Sequence, residues 1–475
     1  MVRTSITKYS YVLGDERIRL DSKFYRKEFV ETIETLNAVK RNGVEVKPLG
    51  SKDISTTLTD GKHGYYTFVD NGIPFIRNEN VKVVFLDLEN IKYISHKEHK
   101  ENIRSEIVHE DILLTSIGTV GNAGIFLQDK FEKANISQNL VKIRVNRKNI
   151  NPYYLVIFLN SKYGRFQILR FVQGNNQPYI NFPSIKKILV PLLPHDFQLH
   201  IEQLVKEAYE KRKLAGQKYQ QAEELLYELL GISKEEIERL EAEKAYEVNF
   251  KEVKQAFRFD AEYYHPKYYF SDKIFKQIPS ARLGSKEYFE LKKGIEVGSD
   301  AYCDKNRGVL FLRVSNLSRD GLKLNPSDKY IFKGIYKKLR PKYEPKEGEV
   351  LFSKDGTIGT ATVVDSDFPP SIISGGVVRI RIKKDFDPYY LAFVLNSILL
   401  ELQVTREKTG TVIEHLRFSK LKEIRVPKLP LSQQQYVANP VREYFKLRKE
   451  ARQLVQRAIR EVEEAIENAS SSNGE

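Results

Sequence analysis

The sequence has a single cysteine, Cys303, and no tryptophan. One cysteine excludes an intramolecular disulfide, and none of the eight histidines has the partner spacing of a zinc site. His96 and His99 come nearest, but no second ligand pair follows them, so a solvated charged loop is the better interpretation. No segment approaches the roughly 18 apolar residues that span a membrane, and the N-terminus lacks an apolar signal core. We therefore expect a cytoplasmic protein without a metal site or a membrane segment.

Positive charge is what the chain has in excess. Its 475 residues include 78 Lys and Arg against 63 Asp and Glu, a formal net charge of +15. A soluble basic protein of this size suggests a polyanionic partner such as nucleic acid. A lysine-rich solvated surface is the alternative, which charge alone does not exclude. The length exceeds what one ordinary core needs and allows two or more domains.

Self-similarity is the most informative feature of the sequence. Six segments recur in the same order, each about 237 residues after its first copy. The first copies are residues 19–25, 72–77, 118–121, 141–145, 152–161 and 190–194, and the second copies are residues 258–264, 308–313, 356–359, 378–382, 388–397 and 426–430. Collinear matches with so little drift indicate a duplicated unit of about half the chain.

Each copy of the unit ends in a predicted long helix. Before the helix come short β-branched runs broken by Gly, Pro and Asn, which predict strands and turns. Residues of the helix recur every seven positions in a pattern typical of a coiled-coil seam, where alanine permits close helix approach. The seam positions are Ile201, Ala208, Ala215, Ala222 and Leu229 in the first copy, and Val437, Tyr444, Ala451, Ala458 and Ala465 in the second. We expect an antiparallel helix pair; two amphipathic helices packed separately on their own domains are the alternative.

The predicted fold class is α/β, more closely α+β, with an internal pseudo-twofold repeat. Two similar mixed domains are separated and joined by two long antiparallel coiled-coil helices. Gly231 should end the first long helix, and Ser233 with Glu236 forms a capping-box signal for a short helix after it. The predicted boundaries are residues 1–194 for the first mixed domain, 195–246 for the first helix region, 247–430 for the second mixed domain, 431–469 for the second long helix and 470–475 for a flexible tail.

Two segments invite an enzyme interpretation. Residues 151–154, Asn-Pro-Tyr-Tyr, and 387–390, Asp-Pro-Tyr-Tyr, resemble the Asp/Asn-Pro-Pro-Tyr motif of adenine methyltransferases. Both have tyrosine in place of the second proline that helps to hold a flipped base, and neither half has the Phe-x-Gly-x-Gly loop for the methyl donor. Asn or Asp at an N-cap, followed by proline, predicts a helix start instead. We expect these segments to be structural and the chain to have no catalytic residue.

The order of the markers, twice over, resembles the specificity subunits of type I restriction-modification enzymes, across nearly the whole chain. The local markers are GIPFIRNENV and GVLFLRVSNL, DILLTSIGTVG and EVLFSKDGTIG, NPYYLVIFLNS and DPYYLAFVLNS, and ILVPLLP and IRVPKLP. The resemblance implies that each mixed domain is a target-recognition domain. Each would read one part of a split, asymmetric site in double-stranded DNA, while the paired helices fix the spacing.

The resemblance also implies partners. The helices would dock two modification subunits, which would methylate adenine from S-adenosylmethionine, and restriction subunits would supply ATP- and Mg-dependent translocation and cleavage. No cofactor is expected in this chain. One marker departs from the family pattern: the Ser-basic-x-Gly turn is present at residues 353–356, but residues 115–118 read Thr-Ser-Ile-Gly. That departure argues against a direct DNA contact by this turn in the first domain.

Base reading needs Arg, Lys, Asn and Gln side chains. We expect them in loops where the two copies diverge, because each domain reads a different half-site. The DNA-binding candidates in the first copy are Lys62, His63, Tyr65, Arg77, Asn78, Asn80, Gln173, Asn175, Asn176, Gln177 and Tyr179. Those in the second copy are Arg313, Ser315, Asn316, Lys354, Thr357, Lys408, Thr409 and Thr411. An ordinary polar loop is the alternative for each segment, and Arg77 and Arg313 are equally compatible with internal salt bridges because both copies keep them.

Two other functions remain open at this point. A fused adenine methyltransferase or restriction enzyme with its own recognition domains would need the donor loop and the second proline that are missing. A coiled-coil scaffold whose basic halves bind DNA without sequence preference has the same composition as the leading hypothesis, so only a binding experiment separates them.

Overall fold

The computed structural model describes residues 21–128, 130–325, 327–407 and 415–471. Its contacts divide the chain into two compact units: the first contains Met1–Lys211 and Glu450–Glu475, and the second contains Arg212–Lys449. The division falls inside the two long helices. Each unit therefore combines one mixed domain with a part of each long helix.

The first unit is built around two five-stranded sheets. Its strands are β1 (Val46–Pro48), β2 (Ser55–Asp60), β3 (Phe68–Val69), β4 (Ile73–Ile76), β5 (Val84–Phe85), β6 (Lys92–Ile94), β7 (Glu106–Ile107), β8 (Ile112–Thr115), β9 (Ala123–Ile125), β10 (Ala134–Ile136), β11 (Leu140–Val145) and β12 (Leu189–Pro191). The sheet orders are β2-β11-β8-β9-β5 and β3-β6-β4-β10-β7, and β1 pairs with β12. The β-branched residues of β11 pack well in a strand that lies between two neighbours and is largely buried.

Helices cover these sheets. They are α1 (Lys27–Arg41), α2 (His96–Glu101), α3 (Pro152–Asn160), α4 (Lys162–Phe171), α5 (Phe182–Lys186) and the first part of α6 (His195–Leu230). Every residue of α3 is buried, so this helix lies within the core of the first unit. The α6 helix ends at Gly231, whose φ of +62° is accessible to glycine at little cost.

The second unit repeats this plan. Its strands are β13 (Ser280–Arg282), β14 (Phe289–Lys293), β15 (Tyr302–Cys303), β16 (Gly308–Leu312), β17 (Leu317–Ser318), β18 (Gly321–Leu322), β19 (Lys329–Phe332), β20 (Val350–Ser353), β21 (Ala361–Val363), β22 (Ser371–Ile373), β23 (Val377–Ile382) and β24 (Arg425–Pro427). Its helices are α7 (Lys234–Glu241), α8 (Phe250–Ala256), α9 (Lys267–Gln277), α10 (Lys333–Tyr343), α11 (Pro388–Val394), α12 (Ile398–Glu407), α13 (Phe418–Glu423) and the first part of α14 (Leu431–Ser471).

Strand pairing confirms the predicted duplication. The order β2-β11-β8-β9 of the first unit recurs as β14-β23-β20-β21 in the second, and the β1-β12 pair recurs as β13-β24. The parallel pair β4-β10 likewise recurs as the parallel pair β16-β22. The mixed α/β fold with an internal repeat is therefore present as predicted.

The two long helices pair in opposite directions within each unit. In the first unit, His200 Nε2 lies 2.8 Å from Glu461 Oε2 and Lys211 Nζ lies 2.8 Å from Glu450 Oε2. The partner number falls as the first number rises, which defines an antiparallel pair. In the second unit, Lys218 Nζ lies 2.7 Å from Glu443 Oε2. The alternative of separately packed helices does not fit these contacts.

The seam positions lie between the paired helices and the domain cores. In the first unit Ile201, Ala208, Ala451 and Ala458 belong to the main core cluster, and Ala465 is half-buried against it. In the second unit the corresponding positions are Ala222 and Val437 in the core cluster, Ala215 and Tyr444 buried, and Leu229 half-buried. Alanine at six of these ten places lets the backbones approach closely.

The Pro-Tyr-Tyr segments are helix starts. Asn151 Oδ1 accepts hydrogen bonds from the backbone N–H groups of Tyr153 and Tyr154, with Pro152 at the first turn of α3. Asp387 caps α11 in the same way. The side chain that would face a substrate in a methyltransferase is therefore used to satisfy a helix terminus.

A hairpin tip attaches each sheet to a long helix, but the chemistry differs between the units. In the first unit, Val84 is buried at the tip, and the Phe85 ring centroid lies 5.7 Å from that of Tyr209 on α6. In the second unit, the tip between β17 and β18 carries Asp320, whose carboxylate accepts hydrogen bonds from Tyr444 and Arg448 on α14. Burial alone would raise the pKa of the Asp320 carboxyl, but the charge of Arg448 and the bond from Tyr444 outweigh it and lower that pKa.

No helix among the described residues is both long enough and apolar enough to cross a bilayer. The described residues also contain no group of three or more His, Cys, Asp or Glu side chains arranged to hold a metal ion.

Replacing the cap residue tests the structural role of the Asn-Pro-Tyr-Tyr segment. Asn151→Ala and Asn151→Ser both lose the side-chain bond to Glu202, but serine keeps an oxygen for the backbone N–H groups. We expect the alanine variant to be less stable than the serine variant by about 1 kcal/mol in urea unfolding. Equal free energies of unfolding for the two variants would show that Asn151 does not act as a cap.

Acidification tests the ion pair at the second hairpin tip. A carboxyl whose pKa is lowered by folding stabilises the protein above its unfolded pKa, near 3.9, and that contribution is lost as the pH falls through the folded pKa. We expect Asp320→Asn to destabilise the second unit by about 2 kcal/mol at pH 7, because Arg448 loses its partner, and by less near pH 3. Urea unfolding at the two pH values measures the difference, with Asp300→Asn, an exposed carboxylate of the same unit, as the control. An equal loss at both pH values would contradict the ion-pair assignment.

Candidate nucleic-acid interface

A short loop that we call the central loop connects the candidate segments of each unit. It comprises residues 137–139 in the first unit and 374–376 in the second. The backbone hydrogen bonds around it are the same in both units. In the first unit they join Gly61 N to Leu140 O, Ser137 N to Ile76 O, Ser116 N to Asn139 O and Ile180 N to Ser116 O; in the second they join Gly294 N to Val377 O, Ser374 N to Leu312 O, Lys354 N to Gly376 O and Leu416 N to Lys354 O. The duplicated sequence therefore builds the same backbone arrangement twice, and we call this arrangement of hydrogen-bonded segments around each central loop the frame.

The segment after β2 borders the central loop of the first unit. Lys62 forms a β-bridge with Ser137, and Gly64 N donates to Gln138 Oε1 at 3.3 Å. His63 is exposed and its Nε2 lies 2.9 Å from Asp60 Oδ2. Tyr65 is fully exposed. Three predicted DNA-binding side chains, Lys62, His63 and Tyr65, thus lie on one loop beside the central loop.

The segment after β4 lies on the other side of the same loop. Arg77 and Asn78 are half-buried, and Arg77 Nη2 lies 2.6 Å from Glu79 Oε1. A Cβ placed on Gly118 would stand 3.6 Å from Asn78 Nδ2, so Asn78 faces the glycine turn at residues 116–121. The structure brings Arg77, Asn78 and this turn together.

Asn80 and Asn316 have a different role from the one predicted. Both are buried, and each Oδ1 accepts from the backbone N–H of the arginine three residues earlier, at 2.8 and 2.9 Å. Their Nδ2 groups donate to backbone carbonyls seven residues ahead. Since both ends of each amide are satisfied inside the protein, we leave Asn80 and Asn316 out of the proposed interface.

The loop between α4 and α5 packs against the glycine turn. Gly118 N donates to Pro178 O at 2.8 Å, and Ile117 forms a β-bridge with Tyr179. Tyr179 is partly exposed and its hydroxyl donates to Gln173 Oε1 at 3.0 Å. Asn175, Asn176 and Gln177 are exposed, and the described residues give their amide groups no hydrogen-bond partner. These three amides are therefore accessible to a bound ligand.

Three polar atoms of this face are buried without a hydrogen bond. Arg77 Nε, Asn78 Oδ1 and Ser137 Oγ have no partner among the described residues. A buried polar atom that stays unpaired costs about 1–3 kcal/mol, so a local cluster of them is a feature that a bound ligand or water would relieve. All three atoms belong to segments that meet at the central loop.

The described residues of the second unit carry three of its predicted DNA-binding side chains at or near the surface. Ser315 and Thr357 are exposed, and Arg313 is half-buried. Arg313 Nη2 donates to Ser327 O at 3.3 Å, while its Nε is buried without a partner. The other candidates in this unit, Lys408, Thr409 and Thr411, lie outside the described residues.

Lys354 is not accessible, contrary to its selection as a DNA contact. The residue is buried, and its Nζ lies 2.5 Å from Asp355 Oδ2. His415 Nδ1 lies 3.0 Å from the other oxygen of the same carboxylate. Burial would raise the pKa of the Asp355 carboxyl, but the hydrogen bonds from Lys354 and His415 outweigh it and lower that pKa. A phosphate contact by Lys354 would break this arrangement, so we leave Lys354 out of the proposed interface.

The central loops themselves were missed by the sequence-based selection. Their order in the chain places them directly before the retained strands β11 and β23, where Ser-Gln-Asn in the first copy becomes Ser-Gly-Gly in the second. A segment that differs between the two copies, directly before a strand that both copies retain, was the signal in the sequence that could have identified these loops. The long-range pairing that makes each loop a meeting point is visible only in the fold.

Known protein families and proteins resemble this chain in sequence. A family model described as "Type I restriction modification DNA specificity domain" matches residues 51–224 and 286–454. The putative type I restriction enzyme MjaX specificity subunit of Methanocaldococcus jannaschii is 20% identical over 431 residues, which cover 88% of this chain and 91% of that protein. The type I restriction enzyme EcoBI specificity subunit of Escherichia coli is 27% identical over 140 residues, 29% of each chain.

Among solved structures, the S subunit of a type I restriction-modification system from M. genitalium aligns with 90% of this chain and 96% of its own, at 10% identity and a TM-score of 0.43. The family model covers well over half of the chain, in two segments that each contain one central loop and one copy of the frame. The chain therefore belongs to the family of type I restriction-modification DNA specificity proteins and carries two copies of its specificity domain.

Proposed function

We propose that this chain is the non-catalytic specificity subunit of a type I restriction-modification complex, and that each unit reads one half of a bipartite, asymmetric DNA site. The observation that carries the proposal is the pair of central loops. Two frames with the same backbone hydrogen bonds present different side chains around the loop. Similar frames with unlike polar surfaces are what the reading of two unlike half-sites requires.

The partners follow from the proposal rather than from the contacts within the chain. Two modification subunits would dock on the paired long helices and supply methyl transfer from S-adenosylmethionine. Restriction subunits would supply the ATP- and Mg-dependent steps. The antiparallel pairing supports a role of α6 and α14 in setting the spacer, because both helices contribute to both units.

A fused methyltransferase is the second function, and the caps argue against it. Asn151 and Asp387, the residues that would contact a flipped base, bind the first backbone N–H groups of α3 and α11 instead. Both side chains are also engaged by a neighbour on the long helix, Glu202 for Asn151 and Arg442 for Asp387. Methylation of DNA by the purified chain alone would overturn this assignment.

Substituting the exposed amides tests the half-site proposal. In a selection from a library of random duplex DNA, the wild-type chain with its modification partner should recover two short motifs separated by a fixed gap. We expect Asn175→Ala with Gln177→Ala to weaken one motif by about 1–3 kcal/mol per lost base contact and to leave the other motif and the gap unchanged.

The matched control is Asn149→Ala, which removes an amide of the same unit near the opposite end of β11. Its Nδ2 donates to Asp53 O at 3.1 Å, far along the strand from the central loop. An equal loss of affinity for every sequence in the double variant would identify Asn175 and Gln177 as phosphate or structural residues. In a DNA footprinting experiment, uniform protection by the wild-type complex would favour the alternative of a coiled-coil scaffold that binds DNA without sequence preference.

A further inference from the structure

The two central loops differ most at their second residue, which has a long polar side chain in the first unit and no side chain in the second. In the first unit that residue is Gln138, whose Oε1 accepts from Gly64 N. In the second unit it is Gly375. A Cβ placed on Gly375 would stand 2.3 Å from Glu296 Oε1. The carboxylate of Glu296 therefore occupies the space that a side chain at the Gln138 position would need.

Glu296 reaches this place from the segment after β14. Ile295 forms a β-bridge with Ser374, as Lys62 does with Ser137 in the first unit. His63 is thus the counterpart of Glu296. In the first unit, Lys62, His63 and Gln138 stand at this place beside the central loop. In the second unit, Glu296 stands there beside Gly375 and Gly376.

The Glu296 carboxylate has no ion-pair partner in the part of the chain that the structure describes. It is exposed, and no Lys, Arg or His nitrogen of the described residues lies within 4.0 Å of it. The other carboxylate at this place, Asp355, would stand 3.4 Å from a Cβ on Gly376 and is paired with Lys354 and His415. Among the described residues, Glu296 is therefore an unpaired negative charge beside the central loop, in a chain with a net charge of +15.

A free carboxylate on such a face opposes binding to phosphates, so it weakens affinity for DNA of any sequence. It gains a partner only where a base offers an amino group. Cytosine presents its N4 amino group in the major groove, whereas guanine and thymine present acceptor oxygens and adenine presents an acceptor nitrogen beside its amino group. A carboxylate is attracted to the first and repelled by the acceptors of the others.

We propose that Glu296 is the specificity-determining residue of the second unit for a cytosine in its half-site, and that Gln138 occupies the corresponding reading position in the first unit. The inference rests on the proposed function, because it assigns a base to one of the two units. Gly375 is a positioning residue: its missing side chain leaves room for the carboxylate beside the loop.

The test is a selection from random duplex DNA with the full-length chain and its modification partner, comparing wild type with Glu296→Gln. We expect the preference for cytosine at one position of one half-site to fall about tenfold, with a shift toward adenine, which a glutamine amide pairs bidentately. All other positions and the second motif should be unchanged. Gly375→Ala should reduce the same preference by displacing the carboxylate.

Glu347→Gln is the matched control. It makes the same change in net charge at an exposed residue of the same unit, at the opposite end of β20 from the turn that contacts the central loop. We expect its selected motif to equal that of the wild type. If Glu296→Gln raises affinity for all sequences equally and changes no base preference, the carboxylate only repels phosphate and the inference is wrong. Failure of the wild type to select any bipartite site would instead overturn the proposed function.

Discussion

Antiparallel pairing of α6 with α14 is the constraint on which both units depend. The core of the first unit includes Ile201 and Ala208 from one helix and Ala458 and Ile466 from the other. These residues are separated by more than half of the sequence, so the first unit completes its core only after the end of the chain is available. Small side chains at the seam make that closure possible, because they let the helix backbones approach. Neither copy of the repeat is thus an independent folding block.

Polar residues that the two units share lie in the frame around each central loop, whereas the polar residues that differ between the units lie in the loops outside it. Shared polar residues point inward: Lys142 Nζ donates to two carbonyls at 2.7 and 2.8 Å, and its counterpart Arg379 donates to Glu344 O at 2.7 Å. Asn80 and Asn316 are further examples. Burial lowers the pKa of Lys142, which is the cost of a cation in a sheet. Side chains in the loops outside this frame do not have to satisfy buried polar groups, so they differ between the units.

Much of the fold was predictable from the sequence, because it depends on local signals that occur twice. Asn151 and Asp387 were identified as caps from their neighbours, and the seven-residue pattern predicted the helix pair. The site was predicted less well. A polar residue in a loop looks the same in sequence whether its amide faces solvent, as in Asn175, or is satisfied inside, as in Asn80. Retention of Asn80 as Asn316 in the second copy was the clue to its buried role. The sequence did not point to Glu296, because its proposed role depends on the nearby Gly375. The pairing of distant segments that brings these two residues together is visible only in the fold.

The unlike hairpin tips limit how such a protein can be rearranged by recombination. A gene segment encoding the first mixed domain, moved into the second position, would set the apolar Val84 and Phe85 against Tyr444 and Arg448 and leave the arginine without its carboxylate partner. The reverse exchange would place Asp320 against Ala208, which lacks the hydroxyl that Tyr444 donates in the second unit. Arg212 stands at the position of Arg448, so this exchange would remove one of the two donors to the carboxylate. Exchange at the same position avoids both mismatches wherever the incoming domain carries a hairpin tip of the same kind. The unlike tips therefore favour exchange of recognition domains between equivalent positions over exchange between the two halves of one gene.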